Sequence, residues 1–559
     1  NYEKIYHSEA EVKNMITEII FSFFNILVLG NSSFISDYQV EADSKIIVQH
    51  EQRKGKYAKK LISQQMEEEE QSQEDSEEGE NEEEEEEELE TIIEEEPSLP
   101  YEFAQEEEKP EFLTLKGYFR SRFFFYSGIP EVQNLELKYR NPFYVQSRLR
   151  LDPYFNISPT LRLVGQVDVL DDIVWGEGVK GFTPGELLCE SYNGGNNFSE
   201  CKGIPRIFAV KRFWGEIDSI LTLPLSISIG RQPIHYGLGI FYNDGNWFRN
   251  LWGDAHFGST QDRLKLGIKL SDNFKLDTGF DFLLSELGDT EENLVNPFLV
   301  PSFVSDNFSV SLYGGAVYSS SKQTEYYFLL PYISLAPWTG FSVEVEANII
   351  SGNIGKDLIP PLDSFRRYSI FALNFAGRIK YETGLLKLML DGGWASGDDD
   401  PKDNKIKTWS FHPDYNAGFI LFEDIIARYT GQGIAARIDN LYGKGGEFFG
   451  TRGGVSGAWF IMPTFGLFPF EAVGTYLSVL LAFSNQNTLT DPLSGNPLFG
   501  RESKKGLLGV EIDWGLRIGT ENFELGTQLG YLILGKALSD ALPEKKNTFK
   551  AQLRFTYLF

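Results

Sequence analysis

Apolar and polar side chains alternate along most of the chain after about residue 112. The final segment, FKAQLRFTYLF, shows the pattern clearly, because apolar residues occupy every odd position from Phe549 to Phe559 and mostly polar residues lie between them. A period of two places successive side chains on opposite faces of a β-strand. We therefore predict a series of strands, each with one apolar face and one face in contact with water.

The alternation, together with the turn residues between the segments, predicts eighteen strands. The expected strands are 113–125, 144–156, 161–171, 206–218, 224–232, 262–271, 273–284, 295–303, 306–318, 324–336, 339–350, 368–381, 384–395, 454–464, 471–484, 505–517, 522–534 and 548–559. The alternation is weakest in 295–303, and a sheet without this strand and one neighbour would have sixteen strands.

Short and long connections alternate between the expected strands. The short turns are expected at 158–159, 271–273, 305–307, 337–339, 382–384 and 520–522. The long loops are expected at 172–205, 233–261, 352–367, 396–453 and 485–504. An even number of strands brings both ends of the sheet to the side of the short turns, which is the periplasmic side in such barrels. Because lipid cannot satisfy an unpaired strand edge, we predict an all-β fold, a single transmembrane antiparallel β-barrel of a bacterial outer membrane.

Composition agrees with a barrel and places most of the acidic charge outside it. Aromatic residues make up 14% of the chain, and the mean hydropathy of −0.25 suits a barrel because half of each strand faces water. Positions 1–110 hold 32 acidic and 9 basic residues, so they carry −23 of the formal charge of −30 and leave −7 for the rest. No nucleic-acid partner is expected, because the chain has few histidines and lacks a long basic stretch.

The chain divides into four segments. Within residues 1–33, the apolar run 19–30 has about the length of a signal-peptide core, which predicts export; a buried helix or a membrane anchor is the alternative. Residues 34–66 form a short N-terminal segment. The acidic residues of 67–110 repel one another, which predicts a disordered periplasmic linker; a site for divalent cations or for a basic partner is the alternative. Residues 111–559 form the barrel.

Charged side chains in the strands fall on the face opposite the apolar one, and charges cannot face lipid without a large cost. The basic residues predicted to line the lumen are Lys116, Arg120, Arg122, Arg148, Arg150, Arg162, Lys550 and Arg554. They form one basic wall if the last strand pairs with the first. The acidic residues predicted to line the lumen further round are Asp277, Asp281, Glu344, Glu346, Asp391, Glu511 and Asp513. Opposed charges would set up a transverse field, which predicts a porin-like channel for small polar or anionic solutes. The alternative is that these charges pair with one another and fill the lumen.

The segments 230–270 and 391–426 carry Gly-Arg, Tyr-Gly-Leu-Gly, Asn-Asp-Gly and Ala-Ser-Gly-Asp motifs. In these blocks and in its last strand the chain resembles alginate-export-type porins and an uncharacterised family of predicted outer-membrane barrels. The resemblance implies a lumen that conducts a polyanionic sugar, lined here by Lys116, Arg120, Arg122, Arg148, Arg150, Arg162 and Arg554. It also implies that Phe555, Tyr557 and Phe559 act as the signal read by the barrel-assembly machinery. The acidic residues on the opposite wall depart from the alginate-exporter pattern.

Two loops carry further signals. The expected loop 396–453 contains the apolar residues 419–422, which either fold into the lumen as a constriction or lie against the extracellular rim. Cys189 and Cys201 are close in sequence in a chain that looks exported, which predicts a loop-closing disulfide. No metal or cofactor is expected.

Two rival functions remain. An outer-membrane hydrolase would need a histidine near a serine or an aspartate, and the candidates are His235, His256 and His412, all in expected loops. Sequence proximity alone does not make a triad, so no enzyme is predicted. A structural or adhesive barrel anchored in outer-membrane lipid is the other alternative. The sequence leaves the substrate, the direction of transport and the oligomeric state open.

Overall fold

The computed structural model describes residues 111–129, 143–175, 208–219, 223–246, 255, 258–284, 294–319, 323–355, 367–398, 403–427, 453–470, 472–486, 505–541 and 546–559. Within these ranges, nineteen strands form one sheet. One of them, Lys405–Ile406, has only two residues and pairs in parallel with a neighbour. The other eighteen pair antiparallel and are numbered β1 to β18 in chain order.

The bounds of these strands are β1 Leu113–Ser127, β2 Phe143–Asn156, β3 Leu161–Trp175, β4 Phe208–Asp218, β5 Leu225–Pro233, β6 Thr260–Lys269, β7 Phe274–Leu284, β8 Leu294–Val304, β9 Phe308–Ser319, β10 Thr324–Trp338, β11 Phe341–Gly355, β12 Arg367–Glu382, β13 Leu386–Ala395, β14 Ala458–Phe470, β15 Val473–Ser484, β16 Leu507–Gly519, β17 Phe523–Leu534 and β18 Thr548–Leu558. Short helical turns occur at Pro413–Tyr415 and Leu421–Ile426, and α1 spans Lys536–Ala541. Among the helices that the structure describes, none has the length and apolar character needed to cross a membrane.

The sheet closes on itself. Each long strand pairs with the next along the chain, and β18 pairs with β1, where Tyr118 lies opposite Leu558 and Ser127 lies opposite Phe549. Closure gives every described barrel strand a partner on both sides, as a sheet in lipid requires. The predicted barrel of eighteen strands is confirmed, and the weakest expected segment forms β8. The smaller count of sixteen is wrong.

β14 shows the largest displacement from its expected position. The alternation predicted a strand over 454–464, whereas the observed strand is Ala458–Phe470. The residues before it pack in the interior: Val455 is buried, and its carbonyl accepts a hydrogen bond from the backbone N–H of Phe411 at 2.9 Å. An apolar loop residue inside the lumen has the same sequence signal as an apolar strand residue, which accounts for the early predicted start.

The outward face of the barrel is apolar. Side chains such as Phe213, Ile349 and Leu477 are exposed on it, as expected of a surface that contacts lipid. Arg231 and Asp262 also lie on this face, near the ends of β5 and β6 that meet their connecting loop. They form an ion pair of 3.0 Å between Nη1 and Oδ2. Charged groups near a strand end lie close to the membrane–water interface, where their cost falls.

A large hydrophobic core lies inside the barrel, on one side of it. Two loop segments contribute to it, 234–246 after β5 and 411–427 after β13, and we call them the first and the second inner loop. They pack against the inward faces of β8 to β17 through residues such as Ile240, Phe298 and Phe422. The core therefore lies beside ten consecutive strands. β18 and β1 to β7 lie outside it, and their inward faces carry charged side chains and a separate buried cluster that includes Phe124, Tyr126 and Tyr144.

Candidate functional site

A cluster of cations lies on the inward faces of β18, β1 and β2. The register places Arg122 opposite Arg554 and Arg120 opposite Arg148, so cations are neighbours across the strands. We call this cluster the basic wall. Its members are Lys116, Arg120, Arg122, Arg148, Arg150, Lys550 and Arg554. Because β18 closes onto β1, residues more than four hundred positions apart in the chain share this surface.

Carboxylates and amides hold several of these cations in place. Arg150 donates two hydrogen bonds to Asp168, at 2.7 and 2.8 Å, and Arg554 Nη2 donates to Glu524 at 2.6 Å. Arg122 Nη2 donates to Gln146 Oε1 at 2.6 Å. Charge-assisted bonds of this kind fix the orientation of a guanidinium group. The alternation places Asp168 on the inward face but does not identify it as the partner of Arg150, and Glu524 is not among the predicted site residues, although its alternation signal matches theirs.

Lys116 and Arg162 lie toward the other end of the lumen from Arg122. Lys116 is exposed, and its Nζ is 5.7 Å from the centre of the Tyr154 ring. Arg162 forms an ion pair with Glu216, and its side chain is 46% exposed. These two cations are therefore close to water and belong to the rim of the barrel.

The predicted acidic residues also lie on the inward faces, and most of them have a protein partner. Asp281 pairs with Arg263 at 2.7 Å, Asp391 with Arg378 at 2.6 Å, and Asp277 with Lys275 at 3.4 Å. Glu344 accepts a hydrogen bond from Tyr332 Oη at 3.1 Å. Asp513 is fully buried on the same face of β16 as Glu511.

The side chain of Glu346 on β11 binds backbone N–H groups of the first inner loop. The N–H groups of Gly239 and Ile240 donate to Glu346 Oε2 at 3.0 and 3.3 Å. Gly237 and Gly239 have φ of +54° and +82°, the left-handed region that glycine adopts without strain. These glycines let the loop backbone approach the carboxylate closely.

Tyr236 attaches the same loop to β10. Its Oη donates a hydrogen bond to the carbonyl of Leu330 at 2.5 Å. Burial raises the pKa of Tyr236 above the ordinary value of a tyrosine, so the hydroxyl stays a neutral donor.

Glu511 on β16 binds the second inner loop in the same manner. The N–H groups of Ile420 and Leu421 each donate to the carboxylate at 2.7 Å, and the N–H of Phe419 donates to it as well. Gly418, with φ of +87°, precedes these amides. The structure thus places the apolar residues 419–422 inside the lumen, where each is at most 1% exposed, and not at the extracellular rim.

The two inner loops contact each other. The backbone N–H of His412 donates to the carbonyl of Ile240 at 2.7 Å, and the N–H of Gly258, which lies between the first inner loop and β6, donates to Asp414 Oδ2 at 2.7 Å. Asn243 Nδ2 donates to the carbonyl of Asp414 at 3.3 Å. The loops therefore form one body inside the barrel.

The second inner loop also reaches the basic wall. Lys550 Nζ donates to the carbonyl of Phe419 at 2.9 Å and pairs with Asp424 Oδ2 at 2.8 Å. Tyr126 Oη donates to Asp424 Oδ1 at 3.0 Å. This junction is where the loop body meets the charged side of the lumen. Asp424 was absent from the sequence prediction because it lies in a loop without periodicity.

Three half-buried aromatic rings contact one another within the lumen, and two of them are stacked. Phe241 and Trp409 have ring centres 5.8 Å apart and nearly parallel planes, and Tyr326 lies 6.1 Å from Trp409. Phe328 stacks against Phe241, with ring centres 5.1 Å apart. Together they form a platform contributed by the first inner loop, by Trp409 just before the second inner loop, and by β10.

The described histidines brace the inner loops. His235 Nε2 lies 3.0 Å from the carbonyl of Gly237, and His412 Nδ1 accepts a hydrogen bond from the N–H of Asp414. Within the described ranges, no group of three or more His, Cys, Asp or Glu side chains is placed to hold a metal ion. His256, Cys189, Cys201 and the segments 1–110 lie outside the described residues.

Comparison with known proteins returned structural neighbours only. Neither protein-family models nor curated protein sequences match the chain. A BenF-like porin from Pseudomonas fluorescens Pf-5 has 9% sequence identity and a TM-score of 0.48, and the match covers 80% of this chain and 98% of the porin. OccK9 (OpdG) of Pseudomonas aeruginosa has 9% sequence identity and a TM-score of 0.48, and the match covers 80% of this chain and 98% of OccK9. OccAB1 of Acinetobacter baumannii has 10% sequence identity and a TM-score of 0.46, and the match covers 81% of this chain and 99% of OccAB1.

Proposed function

We propose that this chain is a channel of the bacterial outer membrane that passes small polar or anionic solutes along the basic wall. The observation that carries the proposal is the clustering of inward cations on β18, β1 and β2. Among the described residues of these three strands, seven cations and one carboxylate, Asp152, fall on the inward face. Charges on the inward face do not contact lipid, so the membrane does not account for them. Inside the barrel they attract solutes of opposite charge.

The position of the hydrophobic core supports the route. The core occupies the lumen beside β8 to β17, and ions do not cross a packed apolar region. We place the route of water and polar solutes on the other side of the lumen, beside β18 and β1 to β7. Arg120, Arg122 and Arg148 are at most 3% exposed there, so they would act on a solute through their charge rather than by direct contact. An eccentric pathway, with the basic wall on one side and the inner loops on the other, follows from this division.

Charge neutralisation tests the basic wall. We expect the purified, folded chain to conduct in planar bilayers with a preference for anions. Replacing Arg120, Arg122 and Arg148 together by glutamine should lower the anion-to-cation permeability ratio severalfold, because the cations that raise the local anion concentration are lost. Reversal potentials in a salt gradient measure this ratio. Arg231→Gln is the matched control, since Arg231 lies on the outward face, and its ratio should equal that of the unmodified chain.

Two results would count against the proposal. A chain that migrates as a folded barrel yet gives no conductance would favour the structural or adhesive barrel. Conductance with a ratio unchanged by the triple substitution would place the solute route away from the basic wall.

The aromatic platform favours saccharides as a second candidate cargo. Half-buried rings such as Phe241 and Trp409 can stack on the apolar face of a sugar ring, and the resemblance to alginate exporters points to the same class. Liposome swelling with neutral sugars and with sugar acids of equal size distinguishes the cargoes. Faster swelling with sugar acids would support an anionic saccharide, and equal rates would argue against a role for the basic wall in choosing the cargo.

Further roles complete the proposal. Phe555, Tyr557 and Phe559 at the end of β18 would be read by the barrel-assembly machinery, the acidic residues 67–110 would lie in the periplasm, and Cys189 and Cys201 would form a disulfide. Truncation of the terminal Phe559 should reduce the amount of folded barrel in the outer membrane. Mass spectrometry of the non-reduced protein tests the disulfide.

A further inference from the structure

We propose that Glu511 is the positioning residue of the constriction: it clamps the second inner loop to the barrel wall and thereby holds Asp424 against Lys550, where Asp424 sets the charge selectivity of the pathway. The inference rests on the proposed channel function, and it identifies the second inner loop as the element that narrows the channel. Three observations carry it: the clamp at 419–421, the turn that follows it, and the junction with the basic wall.

The clamp is a carboxylate surrounded by consecutive backbone donors. Phe419, Ile420 and Leu421 point their N–H groups at one Glu511 side chain, which is fully buried. Gly418 turns the chain into this arrangement, and a Cβ there would come within 3.1 Å of Glu511 Oε1. Successive N–H groups that converge on one anion form a backbone nest, a strong and directional site for a negative charge.

The turn after the clamp carries the selectivity residue. Leu421–Ile426 form one π-helical turn, and the N–H of Asp424 donates to the carbonyl of Ile420 at 2.9 Å. Because Ile420 is itself bound to Glu511, the position of Asp424 depends on the clamp. The Asp424 side chain is 22% exposed, whereas its Oδ2, which pairs with Lys550, is buried, so part of the side chain borders open space at this junction.

The junction neutralises one member of the basic wall. Lys550 Nζ lies 3.9 Å from the centre of the Phe419 ring and 2.8 Å from Asp424 Oδ2. A loop that leaves the wall would remove both contacts and would add an unneutralised cation to the solute route. Release of the loop therefore changes both the width and the charge of the pathway.

The first inner loop repeats the device. Glu346 binds the N–H groups of Gly239 and Ile240, and the two loops are joined through His412 and Asp414. A buried carboxylate contributes little net stability compared with an apolar residue of its size. Two such carboxylates, each bound to the backbone of a loop, are explained by a need to hold both loops at fixed positions.

Thiol labelling tests the clamp without reference to conduction. In a chain with Cys189 and Cys201 replaced by serine, Ala417→Cys introduces a thiol at a position that is 1% exposed next to the clamp. Glu511→Gln should label with a water-soluble maleimide about tenfold faster or more than the parent, since losing charge-assisted hydrogen bonds shifts an opening equilibrium by that order. Glu382→Gln is the matched control. It removes an inward glutamate of β12 that pairs with Lys380 at 3.0 Å, and its labelling rate should equal the parent's.

Bilayer recordings test the selectivity role. Glu511→Gln and Asp424→Asn should both raise the anion-to-cation permeability ratio, whereas only Glu511→Gln should also speed labelling at position 417. Heat-modifiable migration on gels verifies that each variant forms a barrel. An unchanged labelling rate in folded Glu511→Gln would overturn the clamp, and an unchanged ratio in Asp424→Asn would overturn the selectivity role. Absence of conductance in every variant would instead refute the channel, while the labelling result would still decide the clamp.

Discussion

At the scale of single residues, glycines opposite large rings decide how tightly the interior packs. Gly315 on β9 lies in register with Phe328 on β10, and the phenylalanine ring occupies the space that a Cβ at Gly315 would need. Gly515 on β16 and Tyr476 on β15 repeat this arrangement. Rings that lie flat over a glycine keep close contact with the wall while they support the inner loops.

Gly315→Ala should therefore destabilise the barrel. The added methyl group would push Phe328 away from the wall and toward the first inner loop, at a cost of about 1–3 kcal/mol for an overpacked core. Equilibrium unfolding by urea in lipid bilayers measures the change in free energy. Gly384→Ala is the control, because a Cβ at that turn position meets no atom within 4 Å, and its free energy of unfolding should be unchanged. Equal stability of the two variants would contradict the packing argument.

At the scale of elements, strands and inner loops differ in how far the sequence predicts them. The strands could be predicted because every strand residue faces either lipid or the lumen. This alternation of environments produces the period of two in the sequence. The inner loops have no such periodicity, and their fixed points are long-range contacts. Glu511 could be placed on the inward face from the alternation around it. Its partners, the N–H groups of 419–421, lie about ninety residues away, and backbone donors carry no sequence signal.

The same limit applies to the basic wall and its partners. Pairing of β18 with β1 could be inferred from closure, and the register then places Arg554 beside Arg122. The contact between Lys550 and Asp424 could not be inferred, because it depends on how a loop folds back into the barrel. Barrel closure can be predicted because lipid does not tolerate an unpaired strand edge. Loop docking depends instead on the shapes of the surfaces that meet.

The inner loops should be separable from the barrel in a protease experiment. Phe422→Asp would bury an unpaired charge in the core, which costs several kcal/mol, while it leaves the strand ladders intact. We expect a folded barrel whose second inner loop is cleaved by protease in reconstituted vesicles much faster than in the parent. Asn404→Asp, at an exposed loop position, should leave the cleavage rate unchanged. Loss of the folded barrel in Phe422→Asp would show that the loops and the strands form one cooperative unit.

At the scale of the whole molecule, this barrel has hydrophobic material on both sides of part of its wall. Outside, apolar side chains meet lipid, and inside, β8 to β17 meet the core of the inner loops. β18 and β1 to β7 lie outside this core, and their inward faces carry the basic wall and the ion pairs of β6 and β7. In the proposed channel the wall would therefore be asymmetric, because one part supports the loops and the other part would face the solute.

A membrane-spanning barrel has its outward face in hydrocarbon, and the depth of a charge along one strand tests whether this holds here. Ile512 lies near the middle of β16 and Ile518 lies one residue before its end, and both side chains are exposed on the outward face. Lysine at 512 would be placed near the bilayer midplane, at a cost of about 2–4 kcal/mol, whereas lysine at 518 would lie near the interface, at about 0–1 kcal/mol. Urea unfolding of Ile512→Lys and Ile518→Lys in bilayers should show this difference. In a barrel surrounded by water, both substitutions would replace an exposed isoleucine by a solvated cation, and the two free energies of unfolding would agree. Because the variants share the strand, the face and the residue change, only the depth in a membrane can separate them.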